Sequence, residues 1–231
     1  MPPNEVTVGL DLAQASDYTA LAVLERRGDL PGAPFDVVEL QRWNGEPYTG
    51  VPERVRAVQR AVRRAAQAAL WAREGRDVPL GELPEPALVV DATGVGAAVV
   101  DLLRDAGLEP VPVVIHGGDA VGVGDRGGWR APKRDLVSAV QVALQQRRLR
   151  ISRGLPDAET LAAELAAFRV RLTAAGHDVY GAGGGATEWR ERPHDDLVLA
   201  LALAVWHAER VGRGRSALEV FARSTRWVAG T

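Results

Sequence analysis

Val8 to Glu25 reads VGLDLAQASDYTALAVLE. Glu5–Leu12 alternates apolar and polar residues and is rich in β-formers. Thr19–Glu25 is a second apolar run, and Pro34–Arg42 (PFDVVELQR) is a third. Short polar turns separate the three, a pattern that predicts consecutive antiparallel strands. Asp11 stands at the end of the first strand, where a charged group in an apolar run is rarely buried without a partner.

Outward from this meander the pattern changes to alternating helix and strand. Val51–Arg73 is predicted as a long helix with Pro52 near its start. After the Gly- and Pro-bearing loop 74–86, Ala87–Asp91 (ALVVD) is a short buried strand. A helix is expected over Val95–Ala106, ending at Gly107, and a strand over Glu109–Ile115. His116–Gly128 (HGGDAVGVGDRGG) is a Gly-rich loop or hairpin. Further expectations are a helix at Pro132–Gln146, a short strand at Leu149–Ser152 and a helix at Asp157–Phe168 with Asp157 as its cap. A hairpin is expected around Ala175–Gly176, an apolar helix at His194–Val211 and a last short helix at Ser216–Trp227. The order predicts an α/β fold, a mixed sheet of three antiparallel strands plus parallel strands flanked by helices. No linker divides it, so residues 1–231 are expected to form one domain.

Composition narrows the chemistry. The 231 residues are 46% hydrophobic and 25% charged, with no cysteine and four histidines. Thiolate metal sites are excluded and the histidines lie at no ligand spacing. A metal would therefore rest on oxygen ligands, which favours Mg²⁺ or Mn²⁺ over zinc. The N-terminus has neither the basic nor the apolar region of a signal peptide. The longest apolar run, Leu197–Trp206, is half a membrane span. A cytoplasmic protein with no membrane partner is expected. Net charge is −2, and Lys133 is the only lysine among 28 basic residues.

Asp91 repeats the arrangement of Asp11: an apolar strand leads to an Asp, and Ala-Thr-Gly follows. Asp195 and Asp196 open a helix whose first turns are otherwise almost wholly apolar. Three such carboxylate positions converging on one cleft would repel unless cations lay between them, which is the composition of a two-metal site. Each position has a plainer alternative. Asp11 suits a turn, and Asp195 and Asp196 suit an N-cap and the helix dipole.

These residues resemble the nuclease domain of phage large terminases, the DNA-packaging enzymes of the RNase H-like superfamily. Val8–Glu25 resembles that family's first hairpin, with its catalytic Asp and a second Asp before Tyr-Thr-Ala. VVDATGVGAAVVDLL (Val89–Leu103) resembles its second acidic strand end. HDDLVLALALAVW (His194–Trp206) resembles its terminal acidic helix, and APKRDLV (Ala131–Val137) is a weaker match to a Pro-Lys helix start. The resemblance implies an RNase H-like fold and two Mg²⁺ or Mn²⁺ ions. It also implies endonucleolytic cleavage of double-stranded DNA during packaging, leaving 5′-phosphate and 3′-hydroxyl ends. Asp11, Asp91 and Asp196 would be the catalytic ligands, with Asp195 beside them and Asp17 as an accessory ligand or a turn residue. Lys133 would contact a phosphate, or else be a solvated first-turn lysine. Partners implied are a packaging ATPase motor, a portal or a small terminase subunit. One departure is clear: no Gly-x-x-x-x-Gly-Lys-Ser/Thr occurs, so no ATPase motor is expected within this sequence.

DNA held without sequence preference is held by its phosphates. Arg126, Arg130, Lys133 and Arg134 flank the expected cleft, and Arg147, Arg148, Arg150 and Arg153 form a second basic cluster. His194 is either a leaving-group acid or a helix-entry residue. TGVGAA (Thr93–Ala98) matches a dinucleotide fingerprint, but three meander strands precede it, so that class is rejected. A sugar-kinase-like ATPase needs two such domains. A Holliday-junction resolvase of the same superfamily, or a non-catalytic packaging or adaptor protein retaining the fold, remains as the alternative.

Overall fold

The computed structural model describes residues 5–12, 18–28, 32–124, 127–172, 178–182 and 195–226, with side chains described outside 168–172, 178–182 and 212–226. Asp17, Arg126 and His194 lie outside the described residues.

The expected meander forms as β1 (Glu5–Asp11), β2 (Thr19–Arg26) and β3 (Phe35–Trp43), antiparallel throughout. Helix α1 (Val51–Glu74) carries Pro52 in its first turn, where a missing N–H is harmless, and ends at Gly75 with a left-handed φ of 63°. Strand β4 (Ala87–Asp91) then pairs parallel with β1, and β5 (Pro110–His116) pairs parallel with β4 after helix α2 (Gly96–Asp105). These bounds lie close to those expected, because clear apolar periodicity met clear breakers there.

The Gly-rich stretch is a hairpin of β6 (Gly122–Val123) and β7 (Trp129–Pro132). Strand β7 pairs parallel with β5 and leads directly into α3 (Lys133–Gln145). It was not expected as a strand: four residues ending in Pro carry almost no strand signal. The short strand β8 (Leu149–Ile151) adds to β3 in parallel. One eight-stranded sheet results, in the order β6-β7-β5-β4-β1-β2-β3-β8. Helix α4 (Ala158–Ala167) follows. Asp157, expected as its cap, has a left-handed φ of 59° and contributes its carbonyl, which accepts the Leu161 N–H. A separate hairpin of β9 (Phe168–Leu172) and β10 (Asp178–Ala182) matches the expected one.

Helix α5 runs from Asp196 to Arg226 without the expected break near Val211. Gly212 and Gly214 weaken a helix without blocking its hydrogen bonds as proline would. Among the described residues no helix is long and apolar enough to cross a membrane.

The helices form two layers. Apolar residues of α1 (Val51, Val55, Val58) and α2 (Val99, Val100, Leu103) cover one face of the sheet. The other face is covered by α3 (Leu136, Val140), α4 (Leu161) and α5, whose residues Leu197–Trp206 are buried except for the half-buried Leu199. This burial explains why that helix shows no amphipathic stripe: it has no solvent side over its first turns. It lies so close to β1 that a Cβ on Gly9 would overlap the Ala200 carbonyl.

Candidate active site

Parallel strands β1, β4, β5 and β7 all end at one edge of the sheet, and sites in open α/β sheets form at such carboxyl ends. Asp11 is the last residue of β1 and Asp91 the last of β4; Leu10 pairs with Val90, so the two carboxylates leave adjacent strands at nearly the same level. Side chains alternate between faces. Gly9 lies under α5 and Val89 is in the α5-side core, so Asp11 and Asp91, two residues on, share that face. Asp195 and Asp196 enter from above at the start of α5, and Lys133 enters at the start of α3.

The carboxylates act on one another electrostatically. Burial pushes the Asp11 carboxyl well above the ordinary carboxylate range, and Asp91, Asp196 and Asp195 add to it, while Lys133 opposes them. Burial also raises Asp91, against hydrogen bonding from Thr93 and the charge of Lys133. Asp11 and Asp196 are both buried.

Asp91, Asp195 and Asp196 each have a protein partner. The Thr93 N–H donates to Asp91 Oδ1 at 2.8 Å, and Thr93 Oγ1 accepts the Ile115 N–H at 2.9 Å, tying the Asp91 turn to β5. Lys133 Nζ lies 2.9 Å from Asp195 Oδ2. Arg42 Nη2 lies 3.4 Å from Asp196 Oδ2, and its guanidinium stacks 3.8 Å from the Tyr18 ring centre. Arg42 is in line with Asp11 across the sheet, since Asp11 pairs with Ala20 and Ala20 with Arg42. Behind α5, buried Glu164 accepts the Val198 N–H at 3.1 Å. The first turn of α5 is thus capped from α4, and the Asp195 side chain turns to Lys133 instead of capping.

The donor set is all oxygen, ionisable, buried or half-buried and mutually repulsive, which fits a hard divalent cation. The fit stops short of a closed cage: no three His, Asp or Glu side chains among the described residues are grouped so as to hold one metal ion. Asp195 and Asp196 are directed at Lys133 and Arg42.

The basic groups divide. Arg130 is exposed on β7 at the same sheet end, but Trp129 is the residue in register with Asp91 through Val113, so alternation turns Arg130 to the opposite face from the carboxylates. Arg134 is engaged by Asp119 at 2.6 Å. The second cluster is at the wrong end: Leu149 pairs with Phe35 at the start of β3, seven residues before Arg42. There Arg148 binds Glu209 at 2.6 Å and Arg150 binds Asp36 at 2.5 Å. Both serve the fold.

Sequence inspection missed Arg42, Thr93 and Glu164. A signal existed for Glu164, an acid on the apolar stripe of α4 three residues after Leu161, and for Thr93, two residues beyond an Asp in turn position. Arg42 gave none, because its place depends on register across three strands.

The model of the Terminase RNaseH-like domain matches residues 8–208. Among solved structures, the large terminase nuclease from thermophilic phage G20c aligns over 88% of this chain and 82% of its own, at TM-score 0.56 and 22% identity. The same nuclease with bound magnesium aligns over 89% and 82%, at 0.53 and 24%. The human cytomegalovirus terminase nuclease domain, Mn soaked and inhibitor bound, aligns over 92% and 87%, at 0.51 and 12%. At these identities the likeness is one of fold. No curated protein sequence matches.

Proposed function

The chain belongs to the family of terminase RNaseH-like domains, and from that premise we propose that it is a divalent-metal-dependent endonuclease cutting double-stranded DNA during phage DNA packaging. The observation that carries this is the gathering of Asp11, Asp91, Asp195 and Asp196 from three separate elements at one sheet end, close enough for each of the other three to raise the Asp11 carboxyl. Nuclease structures of the same fold contain bound magnesium or were soaked in manganese.

Asp11, Asp91 and Asp196 would hold the ions, with Asp195 beside them and Asp17 as an accessory ligand. A bound pair of Mg²⁺ or Mn²⁺ ions would supply charge stabilisation at the scissile phosphate and make water nucleophilic near neutral pH. The chain's own residues do the rest. Hydrogen bonds from the Thr93 N–H and side chain would orient the Asp91 carboxylate for the ion. Arg42, clamped by Tyr18, orients Asp196. Lys133, Arg130, Arg134 and Arg126 would be the groups that hold DNA phosphates. A packaging motor, portal or small subunit would supply further grip.

Asp11→Asn, Asp91→Asn and Asp196→Asn are each expected to reduce Mn²⁺-dependent plasmid cleavage by at least about a hundredfold, with thermal unfolding still cooperative. Full activity in Asp91→Asn would remove that residue from the metal site. Preferential cutting of a four-way junction over linear duplex would replace packaging with junction resolution. No cleavage of either substrate would leave the adaptor alternative.

A further inference from the structure

Resting on the nuclease assignment above, we propose that Arg210, held against the rings of Trp129 and Trp206, is a preset anchor for a DNA backbone phosphate outside the carboxylate cluster. Its guanidinium lies 4.5 Å from the Trp129 ring centre and 4.9 Å from that of Trp206. The two indoles meet edge to face, 6.1 Å apart at 81°. Trp206 and Arg210 are one turn apart on α5, so both side chains leave the same side of the helix. Trp206 is buried, Trp129 half-buried and Arg210 exposed, so the rings form a floor with the cation at the surface.

The use of its donors sets this arginine apart. Arg42, Arg134, Arg148 and Arg150 are engaged by carboxylates. No Asp or Glu among the described residues pairs with Arg210, whose contacts are the two rings. Attraction to aromatic rings holds a guanidinium without an acid, so its five N–H donors are not taken by a carboxylate. In their fixed fork they match two oxygens of a phosphate side by side. The ring contacts also restrict the side chain before a ligand arrives, which lowers the entropy lost on binding. An exposed, ordered cation with idle donors is suited to an anion.

Strand register says which anion. Trp129 pairs with Val113 and Val113 with Asp91, so Trp129 is level with Asp91, two strands along the sheet. Val113 and Trp129 both pack in the core on the α5 side, the face that carries Asp11 and Asp91. Two strand spacings amount to about 10 Å, well inside the ~34 Å of one duplex turn. A duplex with its scissile phosphate at the carboxylates therefore extends past this platform, and its backbone presents phosphates there whatever the base sequence.

Fluorescence anisotropy of labelled duplex with the whole chain, without divalent metal and over a series of low salt concentrations, tests this. Arg210→Ala is expected to lower the salt slope of binding by about one unit and to weaken binding about three- to tenfold. Arg210→Gln, which keeps part of the stem against the rings, should behave alike and serves if the alanine variant does not fold. Arg64→Ala removes an exposed arginine from α1, on the other face of the sheet, and should leave the slope unchanged. In the cleavage assay Arg210→Ala should raise KM for DNA and leave kcat as it is. An unchanged slope in both Arg210 variants, or an equal fall in Arg64→Ala, would overturn the proposal and leave the nuclease assignment standing. No duplex binding by the parent chain even at the lowest salt would overturn the DNA assignment together with it.

Discussion

Glu164 illustrates how position governs a single carboxylate. It is buried on α4, beneath the start of α5. Burial pushes its carboxyl up to about 7, against the hydrogen bond from the Val198 N–H, and neighbouring Asp196 adds to the rise. For an acid whose value is raised in the fold, the folded state binds more protons than the unfolded chain between the ordinary glutamate range and about 7. Stability is therefore complete below that window and declines as pH rises through it. Glu164→Gln should match the parent protein near pH 4.5 and exceed it near pH 8 by about 2–3 kcal/mol at most. Thermal unfolding across that range checks this, and equal pH dependence in the two proteins would show that Glu164 is not titrating. The acid itself was visible as an intruder on an apolar helix stripe. What it caps was not, because Val198 is 34 residues away.

At the scale of elements, two close approaches set the site. Helix α5 crosses β1 at Gly9, and α2 begins against the Asp91 carbonyl at Gly96; a Cβ at either glycine would overlap a backbone oxygen. Neither glycine has a positive φ, so the need is for space and not for an unusual backbone. Gly9→Ala should lift α5 from β1, destabilise the fold by about 1–3 kcal/mol and displace Asp195 and Asp196 from Asp11. Denaturant unfolding and the cleavage assay should both register the loss; unchanged cleavage would mean that the contact does not position the pair. The glycines stood in plain view at VGLDL and TGVGAA, the latter looking like a phosphate-binding turn. Their real partners, Ala200 and Asp91, belong to packing that no local pattern reveals.

For the whole molecule, charge distribution argues for weak DNA binding alone. The chain carries a net charge of −2, and many arginines are spent on structural ion pairs, including Arg60 with Glu53, Arg148 with Glu209 and Arg150 with Asp36. Among the described residues, Arg42, Lys133 and Arg134 at the carboxylate end are also held by acids, and Arg130 lies on the opposite face of the sheet. Each phosphate contact contributes roughly one unit to the salt slope of binding. A slope of only about two to four and an affinity weaker than nanomolar at physiological salt are expected for this chain, measured by fluorescence anisotropy with labelled duplex. Nanomolar binding there would contradict the division of basic residues described above.

By itself the sequence determined most of the order of elements, β7 and the unbroken α5 apart, and it singled out the candidate acidic positions. Those depend on local periodicity, on breakers and on which residue types are present or missing. Tertiary structure alone decided that Arg42 reaches Asp196, that Lys133 turns to Asp195, that Glu164 caps α5 and that the second arginine cluster lies at the far end of the sheet. The physical reason is range: hydrophobic pattern and turn chemistry act over a few residues, whereas ion pairing and burial depend on strand register and helix docking between segments tens to more than a hundred residues apart.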